Sequence, residues 1–119
     1  MPISGISQGL GLGGGTAATI SGAPGGGGAV TPLLDDFGSA AIAYSLRHLR
    51  TAFSGNCIRV RRSSDDAELD IGFASGILDT SALESHCSGT DGFVVEWYDQ
   101  SGNANDASQP TATYQPKIV

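Results

Sequence analysis

The chain has 119 residues, enough for one domain, and 11 of its 18 glycines lie within residues 1–30. Six lysines and arginines stand against twelve aspartates and glutamates, so the net charge of −6 would repel a phosphate backbone, and we expect no nucleic-acid partner. No apolar run approaches the roughly 18 residues of a membrane span, and the first residues lack the basic and apolar regions of a signal peptide. We therefore expect no membrane span and synthesis in a cytoplasm.

The first segment is uncharged from residue 2 to residue 30 and interleaves Gly, Ser, Ala and Thr with isolated large apolar residues. Such a tract cannot bury enough apolar surface to offset its backbone entropy. We predict that residues 1–33 form an extended Gly-rich arm that orders on assembly, the alternative being a plain flexible leader. The candidate anchor residues of this arm are Ile3, Ile6, Leu10, Leu12 and Ile20.

A helix is predicted after Pro32, with Asp35 or Asp36 as its N-cap and its end near Thr51. Apolar residues follow one another at spacings of four, three and four, which would form one stripe on a helix. These residues are Ile42, Leu46, Leu49 and Phe53.

The period then changes to two, because Ile58 and Val60 alternate with arginines as in a half-buried strand. A polar turn over residues 63–66 and a second alternating run over residues 69–73 complete a predicted hairpin. Cross-strand ion pairs would join the arginines of the first strand to the acidic residues of the second. A short helix over residues 79–87 follows, with Asp79 or Ser81 as its cap.

Residues 92–99 give the strongest strand, because they are aromatic and β-branched, and their near-continuous apolarity predicts a central position in a sheet. Residues 99–109 are predicted to form a polar loop, and residues 117–119 open another strand where the sequence stops. Residues 34–119 are therefore predicted to form a mainly β module with one or two short helices, either whole or truncated.

Carboxylates offer one catalytic hypothesis, since Glu96 and Asp99 could be the acid and base of a glycosidase. Residues three apart on a strand point to opposite faces, so a solvent-facing Glu96 and a turn-forming Asp99 are favoured instead. The oxygen-bearing side chains of residues 99–106 resemble a calcium loop, but the central glycine and the distant glutamate are missing. A network of Asx turns is the favoured alternative, and we predict no metal and no cofactor.

Cysteine chemistry is not expected. His86 and Cys87 adjoin each other but would not face one another on a helix, and His48 is isolated, so a cysteine-protease site is not favoured. Buried free thiols are favoured over a bridge between Cys57 and Cys87, because the chain is expected to fold in a reducing compartment.

Five short motifs resemble the opening part of the catalytic domain of the arabinofuranosidase B family. The most specific is Trp-Tyr-Asp-Gln-Ser-Gly-Asn at residues 97–103. The others lie at residues 43–47, 58–65, 70–72 and 87–90. The resemblance implies a partial concanavalin-like β-sandwich preceded by the Gly-rich arm. It also implies that the catalytic carboxylates lie beyond the segment around Asp99, so none is assigned here, and that a family cysteine is replaced near Asp91 and Gly92.

The same motifs also resemble modules of tailed-phage structural proteins, and this resemblance is the one that we favour. It predicts a bacteriophage virion protein that is not an enzyme: a tail-fibre, baseplate or capsid-decorating subunit, made in the host cytoplasm and located in the virion. Residues 1–33 would bind other virion proteins, and a homo-oligomer, most simply a trimer, is expected. The alternatives are a receptor-binding adhesin for a host glycan, with Trp97, Tyr98 and Asp99 as ligand residues, and a fragment of an α-L-arabinofuranosidase.

Overall fold

The structure is a computed structural model that describes residues 30–119. The candidate anchors of the arm lie outside the described residues, so the arm and the domain boundary at residues 33 and 34 stay predictions. Within residues 30–119, no helix is long and apolar enough to cross a bilayer.

Six strands and two short helices make up the described region, and this confirms a mainly β fold. The strands are β1 (Ile58–Arg62), β2 (Glu68–Ile71), β3 (Phe73–Ala74), β4 (Ile77–Leu78), β5 (Gly92–Trp97) and β6 (Ala107–Ser108). The helices are α1 (Leu33–Asp36) and α2 (Thr80–His86), and a 3-10 turn follows at Ala112–Tyr114. Four strands form an antiparallel sheet in the order β2-β1-β5-β6, and β3 pairs with β4 in a separate hairpin.

The centre of the sheet is the pair β1 and β5. Ile58 lies opposite Trp97, and a register shift after Arg59 then places Val60 opposite Val94. Because β5 has a neighbour on each side, the predicted central position of residues 92–97 is confirmed. The predicted β1–β2 hairpin is confirmed as well.

The core lies on one face of this sheet. Ile58, Val60 and Ile71 are completely buried, and Leu78 and Leu83 pack around them. Strand alternation sends the neighbouring arginines to the other face, where water can reach their charged ends. Period-two patterning thus specified the buried residues of β1, whereas in β2 it held for Ile71 but not for Leu69, which is 44% exposed.

Helix α2 covers the core through Leu83 and begins at the predicted cap. The Asp79 carboxylate accepts a hydrogen bond of 3.0 Å from the Ala82 amide, so Asp79 is the N-cap. At the other end, His86 Nε2 lies 3.1 Å from the Val60 carbonyl oxygen. The helix is therefore tied to β1 as well as packed against it.

The predicted helix up to residue 51 is wrong. Helix α1 ends at Asp36, and residues 37–56 form no helix. Ser39 adopts a left-handed backbone with φ 74°, which a continuing helix does not allow. The expected buried stripe is absent too, since Ile42 is 51% exposed. The backbone groups of this segment are bonded to distant parts of the chain instead.

The strand expected at residues 117–119 is reduced to a single bridge between Lys117 and Phe93. Cys57 and Cys87 are buried free thiols, as predicted. Burial raises the pKa of Cys57 to about 11, and burial also raises the pKa of Cys87. Both side chains therefore behave as small apolar groups at neutral pH.

Candidate functional site

The buried carboxylate of Asp99 accepts four hydrogen bonds. Its Oδ1 accepts from the amides of Ala43 at 2.8 Å and Ser101 at 2.9 Å. Its Oδ2 accepts from the Ser101 hydroxyl at 2.6 Å and the Asn105 amide at 3.0 Å. Burial alone would raise the pKa of Asp99, but these hydrogen bonds outweigh it and lower the pKa to about 2. Asp99 is thus an ionised carboxylate at neutral pH, with both oxygens occupied.

The next residue, Gln100, is completely buried and bonds to the same irregular segment. Its side-chain oxygen accepts from the Leu49 amide at 2.7 Å. Its side-chain nitrogen donates to the carbonyls of Ser45 at 3.1 Å and Arg47 at 2.9 Å. One glutamine therefore replaces three of the hydrogen bonds that a helix would have given this backbone.

Two asparagines complete this arrangement. Asn103 Nδ2 donates to the carbonyls of Ala40 and Ala41, each at 3.0 Å, and Asn105 Nδ2 donates to Ala41 at 3.1 Å. We call the five side chains of Asp99, Gln100, Ser101, Asn103 and Asn105 the loop clamp. Some of its bonds are local, such as that from the Ser101 amide to Asp99 Oδ1, as in the favoured Asx-turn network, but most join segments more than 50 residues apart in sequence.

Within residues 30–119, no three His, Cys, Asp or Glu side chains lie close enough together to hold one metal ion. Nor does the clamp resemble an acid and base pair. Asp99 is engaged with Ala43 and Ser101, whereas Glu96 lies in the sheet opposite Arg59 and Ser108. The described geometry does not join Glu96 to Asp99 in one site.

A second polar cluster lies beside the clamp. The Asp70 carboxylate accepts from Arg59 Nε at 2.7 Å and Nη2 at 3.2 Å, and from the Tyr98 hydroxyl at 2.8 Å. The Arg59 hydrogen bond lowers the pKa of Asp70, while burial and the bond to Asp70 raise the pKa of Tyr98. The expected cross-strand ion pair is present, and it also fixes the Tyr98 ring.

A cleft of about 340 Å³ opens next to these two clusters. Tyr98 and Asp99, both predicted ligand residues, line it together with Phe53, Asn56 and Asp106. Phe53 and Asn56 were not predicted as ligand residues, because only the folded segment before β1 brings them to the loop that follows β5, and Asp106 was considered only within the calcium-like run. The signal that could have revealed them was their position: Phe53 and Asn56 come shortly before β1, and Asp106 follows β5.

Trp97, the third predicted ligand residue, does not line the cleft. It packs against the core, and its ring centroid lies 6.2 Å from that of Tyr44. Its buried indole N–H has no acceptor within residues 30–119. The geometry therefore separates Trp97 from Tyr98 and Asp99.

The chain is similar in sequence to a family of glycoside-cleaving enzymes. The family model described as "Alpha-L-arabinofuranosidase B, catalytic" matches residues 37–117. The alpha-L-arabinofuranosidase B of Aspergillus kawachii is 35% identical over 97 residues, which are 80% of this chain and 19% of that protein. The Aspergillus niger enzyme is 34% identical over the same shares. The chain thus spans about a fifth of the length of these relatives.

Two solved structures are similar. One is an arabinofuranosidase complexed with arabinofuranosyl-alpha-1,2-xylobiose, with a TM-score of 0.53 and 39% identity over 57% of this chain and 15% of that one. The other is a mutant GH54 arabinofuranosidase soaked with 4-nitrophenyl α-L-arabinofuranoside, with a TM-score of 0.57 and 34% identity over 65% of this chain and 17% of that one. The partial β-sandwich is therefore confirmed.

These matches overturn the functional prediction. A phage virion subunit, a location in the virion and the absence of enzymatic function were all wrong, since the relatives are fungal enzymes. The virion prediction rested on the uncharged arm and on motifs that were assigned to phage proteins, although the same motifs resemble the arabinofuranosidase family. The arabinofuranosidase fragment, the last of the alternatives, is the one that the matches support. The expected trimer and glycan contact stay predictions.

Proposed function

Because the chain belongs to the alpha-L-arabinofuranosidase B catalytic family, we propose that it takes part in the hydrolysis of α-L-arabinofuranosyl bonds. The observation that carries the proposal is the family match over residues 37–117, which includes the whole loop clamp and the central sheet. In this proposal, residues 37–117 are the part of a catalytic domain that fixes the sheet and the segment packed beside it.

The described carboxylates fit a scaffold better than a reaction centre. Glycosidases of the usual kind need two carboxyl groups about 5–10 Å apart on either side of the bond that breaks. Asp99 accepts four hydrogen bonds, and both oxygens of Asp70 are bonded to Arg59. We propose that the reacting carboxyls belong to other parts of the family domain, of which this chain spans about a fifth.

The proposed substrate class follows from the relatives. A similar enzyme structure holds arabinofuranosyl-alpha-1,2-xylobiose, in which an arabinofuranosyl group is attached to a xylose disaccharide. We propose arabinofuranosyl groups carried on xylo-oligosaccharides as the substrates of the domain to which this chain contributes.

A segment exchange tests the scaffold role. Residues 37–117 would replace the matching segment of the Aspergillus niger enzyme, and release of 4-nitrophenol from 4-nitrophenyl α-L-arabinofuranoside would be measured. We expect the chimera to hydrolyse this substrate. Adding Asp99→Ala should abolish hydrolysis because the clamp opens, whereas the matched surface change Tyr114→Ala should not.

Circular dichroism of the chimera shows whether it is folded, so a loss of activity can be told apart from a loss of structure. A chimera that folds and does not hydrolyse the substrate contradicts the proposal. So does a chimera that fails to fold although the 119-residue chain folds by itself, because equivalent scaffolds should be exchangeable.

A further inference from the structure

We infer that the cleft between the segment before β1 and the loop after β5 binds a neutral sugar ring, as a subsite for the oligosaccharide chain apart from the bond that is hydrolysed. The choice of a neutral sugar as the ligand rests on the proposed function, whose substrates are xylo-oligosaccharides that carry arabinofuranosyl groups. The inference depends on the shape, the aromatic side chains and the unused polar groups of the cleft.

Two aromatic side chains give the cleft its apolar surface. The Phe53 ring lies over the backbone of Gly55, where an added Cβ would be only 2.7 Å from Phe53 Cζ. Tyr98 is fixed by its hydroxyl bond to Asp70, which Arg59 holds in place. Both residues line the cleft, so their rings supply apolar surface against which the C–H groups of a sugar can pack with little loss of entropy.

Unused hydrogen-bonding groups lie in the same cleft. Asp106 Oδ1 accepts from the Asp99 amide at 2.8 Å, and within residues 30–119 its Oδ2 has no partner. The side-chain amide of Asn56, an exposed residue, is also without a hydrogen bond inside the described region. A carboxylate and an amide can together bind adjacent hydroxyls, because one accepts hydrogen bonds and the other both donates and accepts them.

The room in the cleft depends on Gly102, which lines it with φ +97°. A Cβ there would lie 2.6 Å from Arg50 Nη1, a nitrogen that already donates to the Ser101 carbonyl at 2.7 Å. Around the cleft, the carboxylates of Asp70, Asp99 and Asp106 outnumber the guanidiniums of Arg50 and Arg59 by one, so the local charge is negative. This balance favours a neutral sugar over an anionic one.

The test is a titration of the ¹⁵N-labelled 119-residue chain with xylobiose, followed by ¹H–¹⁵N correlation spectra. We expect amide shifts to concentrate in residues 53–56 and 98–106, with an affinity on the order of 1 mM. Parallel titrations with L-arabinose and with glucuronate define the specificity, and the glucuronate anion should bind more weakly than either neutral sugar.

Variants then assign the shifts to the cleft. Three variants should each weaken xylobiose binding about fivefold or more, because each removes one contact worth about 1 kcal/mol. These variants are Phe53→Ala, Asn56→Ala and Asp106→Asn. Asp106→Asn retains an acceptor for the Asp99 amide, so it removes the charge without opening the clamp. Tyr114→Ala, at an exposed residue that does not line the cleft, should bind xylobiose like the parent chain.

Two results would overturn the subsite: no shifts at xylobiose concentrations about tenfold above the expected dissociation constant, or shifts that the three cleft variants leave unchanged while their spectra stay dispersed. Neither result touches the segment exchange, which uses a small aryl substrate. An active chimera with a cleft that binds no sugar would reject the subsite alone, whereas an inactive folded chimera would reject the proposed function.

Discussion

The central sheet and the segment over residues 37–56 are both bonded to the rest of the fold, yet different kinds of contact hold them. The β1–β5 pair is stabilised by burial of apolar side chains such as Ile58 and Val60. Residues 37–56 have little regular structure, and the side chains of Asp99 and Gln100 bond directly to their backbone. An irregular segment can therefore be as specific as a strand when buried polar side chains satisfy its backbone.

The largest effect is expected from removing apolar volume beneath the sheet. Ile58→Ala should lower the free energy of unfolding by about 4 kcal/mol, because the side chain is completely buried. Urea denaturation measures this loss, and Ile77→Ala, at a residue that is 49% exposed, is the matched control with a much smaller loss. Hydrogen exchange should quicken in both regions together, and exchange confined to residues 37–56 would contradict the sheet's role as their support.

Breaking the clamp should have a smaller and more local effect. Asp99→Ala removes the acceptor of three backbone amides and should lower the free energy of unfolding by about 3 kcal/mol. Amide exchange at Ala43 should quicken before exchange in β1. Asp99→Asn is the matched control, since it retains one oxygen and should lose less. If amide exchange in β1 and at Ala43 quickened equally, the clamp would not stabilise residues 37–56 independently of the sheet.

A third change addresses the place where β5 begins. A Cβ at Gly92 would lie 2.5 Å from Cys87 Sγ, so Gly92→Ala should lower the free energy of unfolding by about 2 kcal/mol through overpacking. Gly92→Cys puts a second sulfur at this contact and should form a bridge to Cys87 on oxidation, detected by a thiol titration. The double change Cys87→Ala with Gly92→Cys should keep its remaining thiols free, and a reducible bridge in that variant would contradict the assignment.

The smallest effect concerns pH. The pKa of Asp99 is lowered to about 2 from its usual 3.8, so its stabilising contribution is present above pH 3.8 and is lost as the pH falls towards 2. The difference in unfolding free energy between the parent chain and Asp99→Asn should therefore shrink over this interval. Denaturation in urea at several pH values measures it, and a constant difference would show that Asp99 does not carry the effect.

The sequence predicted those parts of the fold in which local pattern and tertiary contact agree. Alternation located β1 and β5, and the cap at Asp79 located α2. The prediction of a helix up to residue 51 was wrong. It depended on apolar residues at helical spacing, but the fold leaves some of them exposed, such as Ile42. The amides of Ala43 and Leu49 bond to side chains that lie more than 50 residues later in the chain, where no local pattern can reveal them.

The candidate site was predicted in part for the same reason. Tyr98 and Asp99 were named from one specific motif, and both line the cleft. Trp97 belongs to the same motif but lies on the core side, since neighbouring residues of a strand point to opposite faces. Asn56 carried no pattern of its own, Asp106 was considered only within the calcium-like run of residues 99–106, and only the closed fold places the two together. The resemblance to arabinofuranosidase was right, while the preference for a phage protein was wrong.

The clamp also bears on how the chain folds. Asp99 and Ala43 are 56 residues apart in sequence, and Asn105 and Ala41 are 64 apart. Closing such loops costs chain entropy, and proteins rich in non-local contacts fold slowly. Because Gln100 lies three residues after the end of β5, we expect its side-chain amide to reach residues 45–49 only once that strand is placed. We therefore expect residues 37–56 to become native only after β5 is placed, and to stay open to proteases until then.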